Sequence, residues 1–469
     1  MNSLSPIAHE LLTRGMKSFV SKFGYIPTHA WVAPGRVEGI GNHVDYQGGN
    51  IFAFSIDRYV ASFVALRRPD ATRDIGMAPI RMVDLNIDVT LDIHNKSPGI
   101  YNYYRPDGTT EKDRLVKGII AQIMNPYKDN PNQVGTMLPD TGYYSILAKR
   151  DPQIYEKIRR LENGLDVVIT GNVPFEAGVS SSAAFSVSLL QTLLDALDIS
   201  MTEKEKIHFI KMAEHRSGAI TGHLDQTVSL IGGAVLVQTE EAGPLRIKVD
   251  PRFYEYEYML FPSGISHSLA GPDAIYPKRV KECDVALKTI NTFLKEEKQK
   301  EIHTLAELGK LKNFKTVLPD IYHILPDSLK KRVRHIVEET LRVDKALECV
   351  QNGDVFRYSQ LLNESGESSA LLYEISHKEV EDLKHIIWKF FKEKNKDRNA
   401  NDQLTYAARM MGGGDGGPVL VFLPKDKKLI EELLEYTQKE YYQPRGRSHL
   451  IPFNVNISSG PINLQPYLK

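Results

Sequence analysis

Apolar residues recur at helical spacing from the start of the chain. Leu11, Leu12, Met16, Phe19, Val20 and Phe23 fall on one stripe, Gly24 ends it and Pro27 follows, which predicts an amphipathic helix with a stop signal. The pattern then changes. Ile51, Phe52, Phe54, Ile56, Tyr59, Val60, Phe63 and Val64 crowd the stretch 50–66 and predict strand, closed by a turn-rich stretch at 67–76. Residues 165–170 predict a short strand. A loop with three serines joins it to a helix through Phe185, Val187, Leu189, Leu190, Leu193, Leu194 and Leu197.

Beyond about residue 250 the chain turns to long helical stretches rich in Lys and Glu, such as 295–301 and 389–398. Acids and bases are mixed in them, so they read as solvated helix faces or ends rather than nucleic-acid contacts. The change predicts two domains, 1–250 and 251–469, as the length of 469 residues allows at about 150 residues per domain. The stretch 125–142, with three prolines beside Asp129, Gly135, Asp140 and Gly142, predicts an exposed loop.

Composition narrows the class. Hydrophobic residues are 42% and charged residues 25% of the chain, which excludes disordered, collagen-like and coiled-coil types. Lys plus Arg balances Asp plus Glu at 59 each, so net charge draws the molecule neither to nucleic acid nor to a membrane surface. The two cysteines, Cys283 and Cys349, are too few for a secreted disulfide scaffold or a thiolate metal site and predict a reduced, cytoplasmic setting. No signal-peptide pattern and no apolar run of roughly 20 residues is present, which predicts a soluble protein.

Four segments carry candidate chemistry. Gly178-Val179-Ser180-Ser181-Ser182-Ala183-Ala184 opens the leucine-rich helix. Small residues at a helix N-terminus present unpaired N–H groups and the positive end of the dipole, an arrangement that holds phosphate; the plainer reading is that Ser180 caps the helix. Gly412-Gly413-Gly414-Asp415-Gly416-Gly417, five glycines in six positions, suits a backbone passing close to a ligand or another backbone, or else a tight turn. The stretch 33–49 sets Arg36, His43 and Asp45 among turn-making glycines. A carboxylate there can accept two sugar hydroxyls, and a solvated turn is the alternative. Asp225, in Gly222-His223-Leu224-Asp225-Gln226, is a general base or an ordinary helix aspartate.

Together, in this order, the segments resemble the galactokinase branch of the GHMP family of small-molecule kinases. Residues 36–49 look like its sugar signature, 171–184 like its phosphate loop and 411–417 like its glycine-rich third motif. Ser266-His267-Ser268-Leu269 with Tyr276, Arg279 and Cys283, then Asn363-Glu364-Ser365 and Tyr373-Glu374-Ile375-Ser376, are similar to further family stretches. The resemblance spans 30–425. It implies an α+β, two-domain fold of mixed sheets and helices with the active site in the interdomain cleft, and an ATP- and Mg²⁺-dependent kinase acting on the anomeric hydroxyl of galactose or a related sugar.

The resemblance also implies roles. Asp225 would take the hydroxyl proton and Arg36 would neutralise charge toward the γ-phosphate. Ser182 and Glu214 would hold Mg²⁺. Gly178, Val179, Ser180, Ser181, Ser182 and Ala183 would bind ATP, while Asn42, His43, Asp45, Gly222 and Tyr276 would bind the sugar.

Three departures stand out: Asn42 replaces the usual glutamate opposite the sugar's C6 group, Asp415 replaces phenylalanine, and Glu176 replaces glycine. The interval between Glu214 and Asp225 is one residue shorter than usual. Asn42 opens the alternative of a uronic acid such as galacturonate. A catalytically silent sugar-binding regulator is a further alternative, against which the chain keeps Ser181, Ser182, Ala183 and Ala184. A homoserine or mevalonate kinase has no reason to carry the stretch 43–49.

Overall fold

The computed structural model describes residues 4–68, 80–86, 89–93, 111–124, 147–174, 178–216, 222–238, 242–265, 275–311, 314–399 and 402–468. The expected loop at 125–142, Glu176, and Ser266 to Leu269 lie outside the described residues, as does most of the turn-rich stretch at 67–76.

Helix α1 (Pro6–Phe23) starts where Ser5 Oγ accepts from the Ala8 N–H at 3.2 Å and ends at Gly24, whose φ of 81° takes the left-handed cap. It buries Leu11, Leu12 and Phe19, but Val20 is 41% exposed; the face through Leu12 and Phe19 meets the sheet and Val20 lies beside it. Gly15 is required because a Cβ there would stand 2.0 Å from the Phe63 ring.

The first sheet is built on two long antiparallel strands, β1 (His29–Ile40) and β2 (Ile51–Leu66). Beyond them come β3 (Ile80–Asp84), β4 (Val89–Ile93) and β5 (Leu165–Gly171), with β5 antiparallel to β2 and parallel to β3. Helix α2 (Glu111–Met124) and the short α3 (Ile154–Arg159) precede β5. Helix α4 (Ser181–Leu197) follows it and lies against β1 and β2. It is buried nearly all round, which explains its leucine-rich sequence. Helices α5 (Glu203–Arg216) and α6 (Leu224–Ile231) lead to β6 (Ala234–Val237), which pairs with β2, and to β7 (Leu245–Arg246).

Just past residue 250 the chain enters the second sheet at β8 (Tyr256–Pro262). Then come α7 (Ile275–Glu296), α8 (Leu305–Leu308), α9 (Phe314–Ile324), α10 (Asp327–Asn352), α11 (Val355–Leu371) and α12 (Lys378–Asn395). The charge run at 295–301 straddles the end of α7, and the run at 389–398 covers the last turns of α12. Strands β9 (Ala407–Met410) and β10 (Pro418–Pro424) complete an antiparallel sheet ordered β11-β8-β10-β9, where β11 is Phe453–Val455. Helix α13 (Lys427–Thr437) follows β10.

Leu260, Leu420 and Phe422 of the second sheet share one core with Phe52 and Phe54 of the first. The final strand, β12 (Ile462–Asn463), returns to the first sheet and pairs with β1, Trp31 opposite Asn463. Bridges Ile56↔Ile457 and Gly232↔Ser459 add to that return.

Candidate functional site

Strand β1, helix α6 and the serine loop converge on Asp225. Arg36 projects from β1, and its Nε donates to Asp225 Oδ1 at 2.7 Å while its Nη1 donates to the Gly178 carbonyl at 2.6 Å. The Arg36 N–H also donates to the Val179 carbonyl at 3.1 Å. On the other side, Ser180 Oγ donates to Asp225 Oδ2 at 2.5 Å. Asp225 remains 32% exposed, so both oxygens are oriented and still reachable.

Ser180 stands at the position before α4, but its hydroxyl makes no capping bond and its backbone lies at φ 55°, ψ 57°. The plain capping role therefore does not apply. The leading N–H groups of α4 have no partner among the described residues and no acidic residue stands in the first turn, and such an end favours an anion. Ser181 and Ser182 are half-buried in that turn and Ala183 is buried.

The glycine-rich turn packs against this loop. A Cβ on Gly178 would meet Pro418 Cδ at 3.2 Å and Met411 Cε at 3.5 Å, and one on Gly414 would stand 2.2 Å from Ile375 Cγ1. Gly414 therefore serves close approach to Ile375, whereas Gly412, with open space around it, serves the turn through its φ of 92°. Asp415, at φ 53°, donates its N–H to the Ile375 carbonyl at 2.7 Å, and its half-buried carboxylate makes no hydrogen bond or ion pair among the described residues.

The 42–46 loop stands beside Asp225. The His43 ring stacks on Tyr373 at 5.2 Å and lies 5.4 Å from Tyr276, at the start of α7. Tyr46 shares a hydrogen bond with the Tyr373 hydroxyl. Burial first, then the His335 and Arg409 charges, push the His43 imidazole down to about 3, so it is neutral near pH 7. Burial, followed by the charge of Glu38, pushes the Asp45 carboxyl up to about 6. A Cβ on Gly222 would lie 2.5 Å from Asp45 Oδ2, so this glycine leaves Asp45 its room. Burial and then the Asp45 and Asp225 carboxylates hold the Tyr276 phenol above its usual range, which puts the loop and Asp225 in one neighbourhood.

Asn42 departs from expectation. It is wholly buried. Its Nδ2 donates to Glu38 Oε1 and to the Gly412 carbonyl, both at 3.1 Å, and its Oδ1 accepts from Ser369 Oγ at 3.1 Å. Both amide hydrogens are used inside the protein, so Asn42 has no donor left for a sugar substituent. Any contact of Asn42 with a sugar would therefore run through its amide oxygen.

Glu214, on α5, is also buried, and its carboxylate accepts from Gln226 Nε2, one residue beyond Asp225. The shortened interval thus still links Glu214 to the helix that carries Asp225.

A buried layer beneath the loop was not singled out as site machinery from the sequence. Glu339 of α10 accepts from the Gly41 N–H at 3.1 Å, the Asn42 N–H at 3.3 Å and Ser365 Oγ at 2.5 Å, and pairs with Arg342. His335 Nε2 lies 3.0 Å from the Asn42 carbonyl and Nδ1 lies 2.8 Å from Ser368 Oγ. Arg409 donates to Glu38 Oε1 and the Gly39 carbonyl, both at 2.7 Å. One signal was available: Arg36 and Glu38 alternate on one strand, so they share a face.

Comparisons with known proteins agree with this architecture. Residues 147–233 match the GHMP kinases N terminal domain, and residues 17–66 match the galactokinase galactose-binding signature. The structure of Lactococcus lactis galactokinase complexed with galactose superimposes with a TM-score of 0.71 at 21% identity, over 96% of this chain and 99% of that one. Mevalonate kinase from L. major gives 0.53 at 15% identity over 92% and 98%. The fold is therefore that of the GHMP kinases. In sequence, galactokinase from Thermotoga petrophila is 27% identical over 419 residues, 87% of this chain and 94% of its own. Galactokinase from Limosilactobacillus reuteri is 27% identical over 399 residues, 84% and 86%. The matched stretches and the galactokinase relatives make the chain similar to the galactokinase-type GHMP kinases and support a phosphotransferase acting on a sugar hydroxyl. Use of ATP follows from the family. Among the described residues, no helix is long and apolar enough to cross a membrane.

Proposed function

We propose that this chain is an ATP-dependent sugar 1-kinase that phosphorylates the anomeric hydroxyl of galactose or a close neutral relative, in the cytoplasm. The observation that carries the reading is the placement of Asp225 between Arg36 and Ser180, beside the open N-terminus of α4 and the Asp45 loop. Ser180 Oγ donates to Asp225 Oδ2, which marks a lone pair that a substrate hydroxyl can take in its place. Asp225 accepts that hydroxyl's proton as the oxygen attacks the γ-phosphorus, and the Arg36 guanidinium stabilises the charge between them. The N–H groups of 178–183 hold the phosphates, while His43, Asp45, Gly222 and Tyr276 position the sugar. Such positioning and charge stabilisation supply most of the catalysis in phosphoryl transfer.

Ser182 and Glu214 offer oxygen donors only, the set a hard cation takes, and Gln226 fixes the Glu214 carboxylate. They would hold Mg²⁺, which supplies charge neutralisation on the phosphates when bound. Both thiols, Cys283 and Cys349, are free and buried, in keeping with a reducing compartment.

The test is ADP release with ATP and Mg²⁺ across hexoses, amino sugars and uronic acids. The expected product is an α-sugar 1-phosphate, formed only from sugars with a free anomeric hydroxyl. Equal turnover of methyl glycosides would exclude attack from that oxygen.

A further inference from the structure

Glu38 lies two residues past Arg36 on the same face of β1, in regular register opposite Ala53. Its side chain is 6% exposed. One oxygen, Oε1, accepts from Arg409 at 2.7 Å and from Asn42 at 3.1 Å, whereas Oε2 makes no hydrogen bond or ion pair among the described residues. After burial, Glu38 is the strongest influence raising the Asp45 carboxyl, so the two carboxylates are close neighbours. Oε2 is thus the open end of an otherwise buried side chain and can accept from a ligand hydroxyl.

We propose that Glu38 is a specificity-determining residue of the sugar site: its free Oε2 accepts from a sugar hydroxyl, and with Asp45 it excludes sugars that carry a carboxylate. The inference rests on the sugar-kinase reading and narrows its substrate class. A sugar carboxylate would enter as a third negative charge where little water screens it. Arg409 does not reverse this, because it is wholly buried and its donors face Glu38 and the carbonyls of Gly39 and Met410. Asn42, which by sequence would admit a uronic acid, instead holds Glu38 in place.

The experiment measures kcat and KM for galactose and galacturonate, with calorimetric binding of each sugar, in the wild type, Glu38→Gln and Glu38→Asp. Glutamine keeps an acceptor for Arg409 and Asn42 but removes the charge. It is expected to raise the galacturonate-to-galactose ratio of kcat/KM by about tenfold or more, mainly through KM. Aspartate keeps the charge but withdraws it by one methylene, so rejection of galacturonate should persist while the KM for galactose rises. Circular dichroism checks folding, and should the glutamine variant not fold, the aspartate variant decides. An unchanged sugar ratio in a folded glutamine variant, or an unchanged galactose KM in the aspartate variant, overturns the assignment. So does a wild type that prefers galacturonate, in which case the kinase reading stands. Galactose binding without ADP release overturns the kinase reading alone, and the binding ratio then decides Glu38. Binding of neither sugar overturns both.

Discussion

At the serine loop the site is made from backbone and small residues, with unpaired N–H groups at the start of α4 and a glycine-rich turn packed against Gly178. The 42–46 loop beside it is made from side chains, held from below by Glu339, His335 and Ser369 on two helices of the second half of the chain. The first arrangement leaves backbone donors open for a ligand, while the second uses backbone and Asn42 polar atoms in fixing a shape and keeps polar atoms such as His43 Nε2 without a protein partner among the described residues. A phosphate is recognised by charge and close approach, which bare backbone supplies. A sugar presents hydroxyls in fixed directions and requires groups that do not move.

Removing the support below the loop should produce the largest effect. Glu339→Ala strips buried Arg342 of its tightest ion pair, leaving only Glu338 at 3.7 Å and Glu364 at 3.8 Å, and frees two N–H groups of the loop, so a loss of about 3–5 kcal/mol is expected in urea unfolding. A loss below about 1 kcal/mol would show that the loop holds itself. At the other end the effect should fall on rate rather than stability. Asp225→Asn is expected to lower kcat roughly a hundredfold or more with sugar binding retained, and Arg36→Ala to act mainly on kcat. Near-normal turnover in both variants would remove Asp225 and Arg36 from the chemistry.

Asn42→Glu lies between these two in kind. A second carboxylate would face Glu38 Oε1 where an amide now donates, so the melting temperature should drop by several degrees for about 1–3 kcal/mol of lost stability. An unchanged melting temperature would mean that the side chain can turn outward.

The smallest effect concerns pH. Because the folded-state value of Asp45 is raised from 3.8 to about 6, folding favours its protonated form. Its contribution to stability is therefore greatest below 3.8 and is lost as pH rises through 6. Asp45→Asn should accordingly melt slightly higher than wild type at pH 8 and bind sugar more weakly. In the wild type, sugar affinity should fall as pH drops below about 6 and the carboxylate takes up its proton. A flat sugar affinity from pH 5 to 8 would show that the ionised carboxylate is not what grips the sugar.

The same contrast explains what could be read from the sequence. Helix α1, strand β5 and helix α4 follow from local periodicity, and the glycine-rich turn follows from composition. The contact of Asp225 with Arg36 needed the resemblance, because the residues are far apart in the chain and each alone reads as an ordinary charge. The internal bonds of Asn42 were not legible because its partners, Ser369 and Gly412, come from distant segments. Nothing in a local motif shows whether an amide faces a ligand or its own protein. Ser180 was ambiguous for a related reason: a serine before a helix usually caps it, and only the backbone angles turn its hydroxyl to Asp225.

The pairing of β12 with β1 has a consequence for synthesis. Arg36 sits on a strand whose outer edge is completed by Ile462 and Asn463, which are made long after it. Until they arrive, the first sheet carries an open edge on the very strand that holds Arg36, and an open edge can recruit other chains. The nascent N-terminal half should therefore rely on chaperones to stay unaggregated until that segment is made.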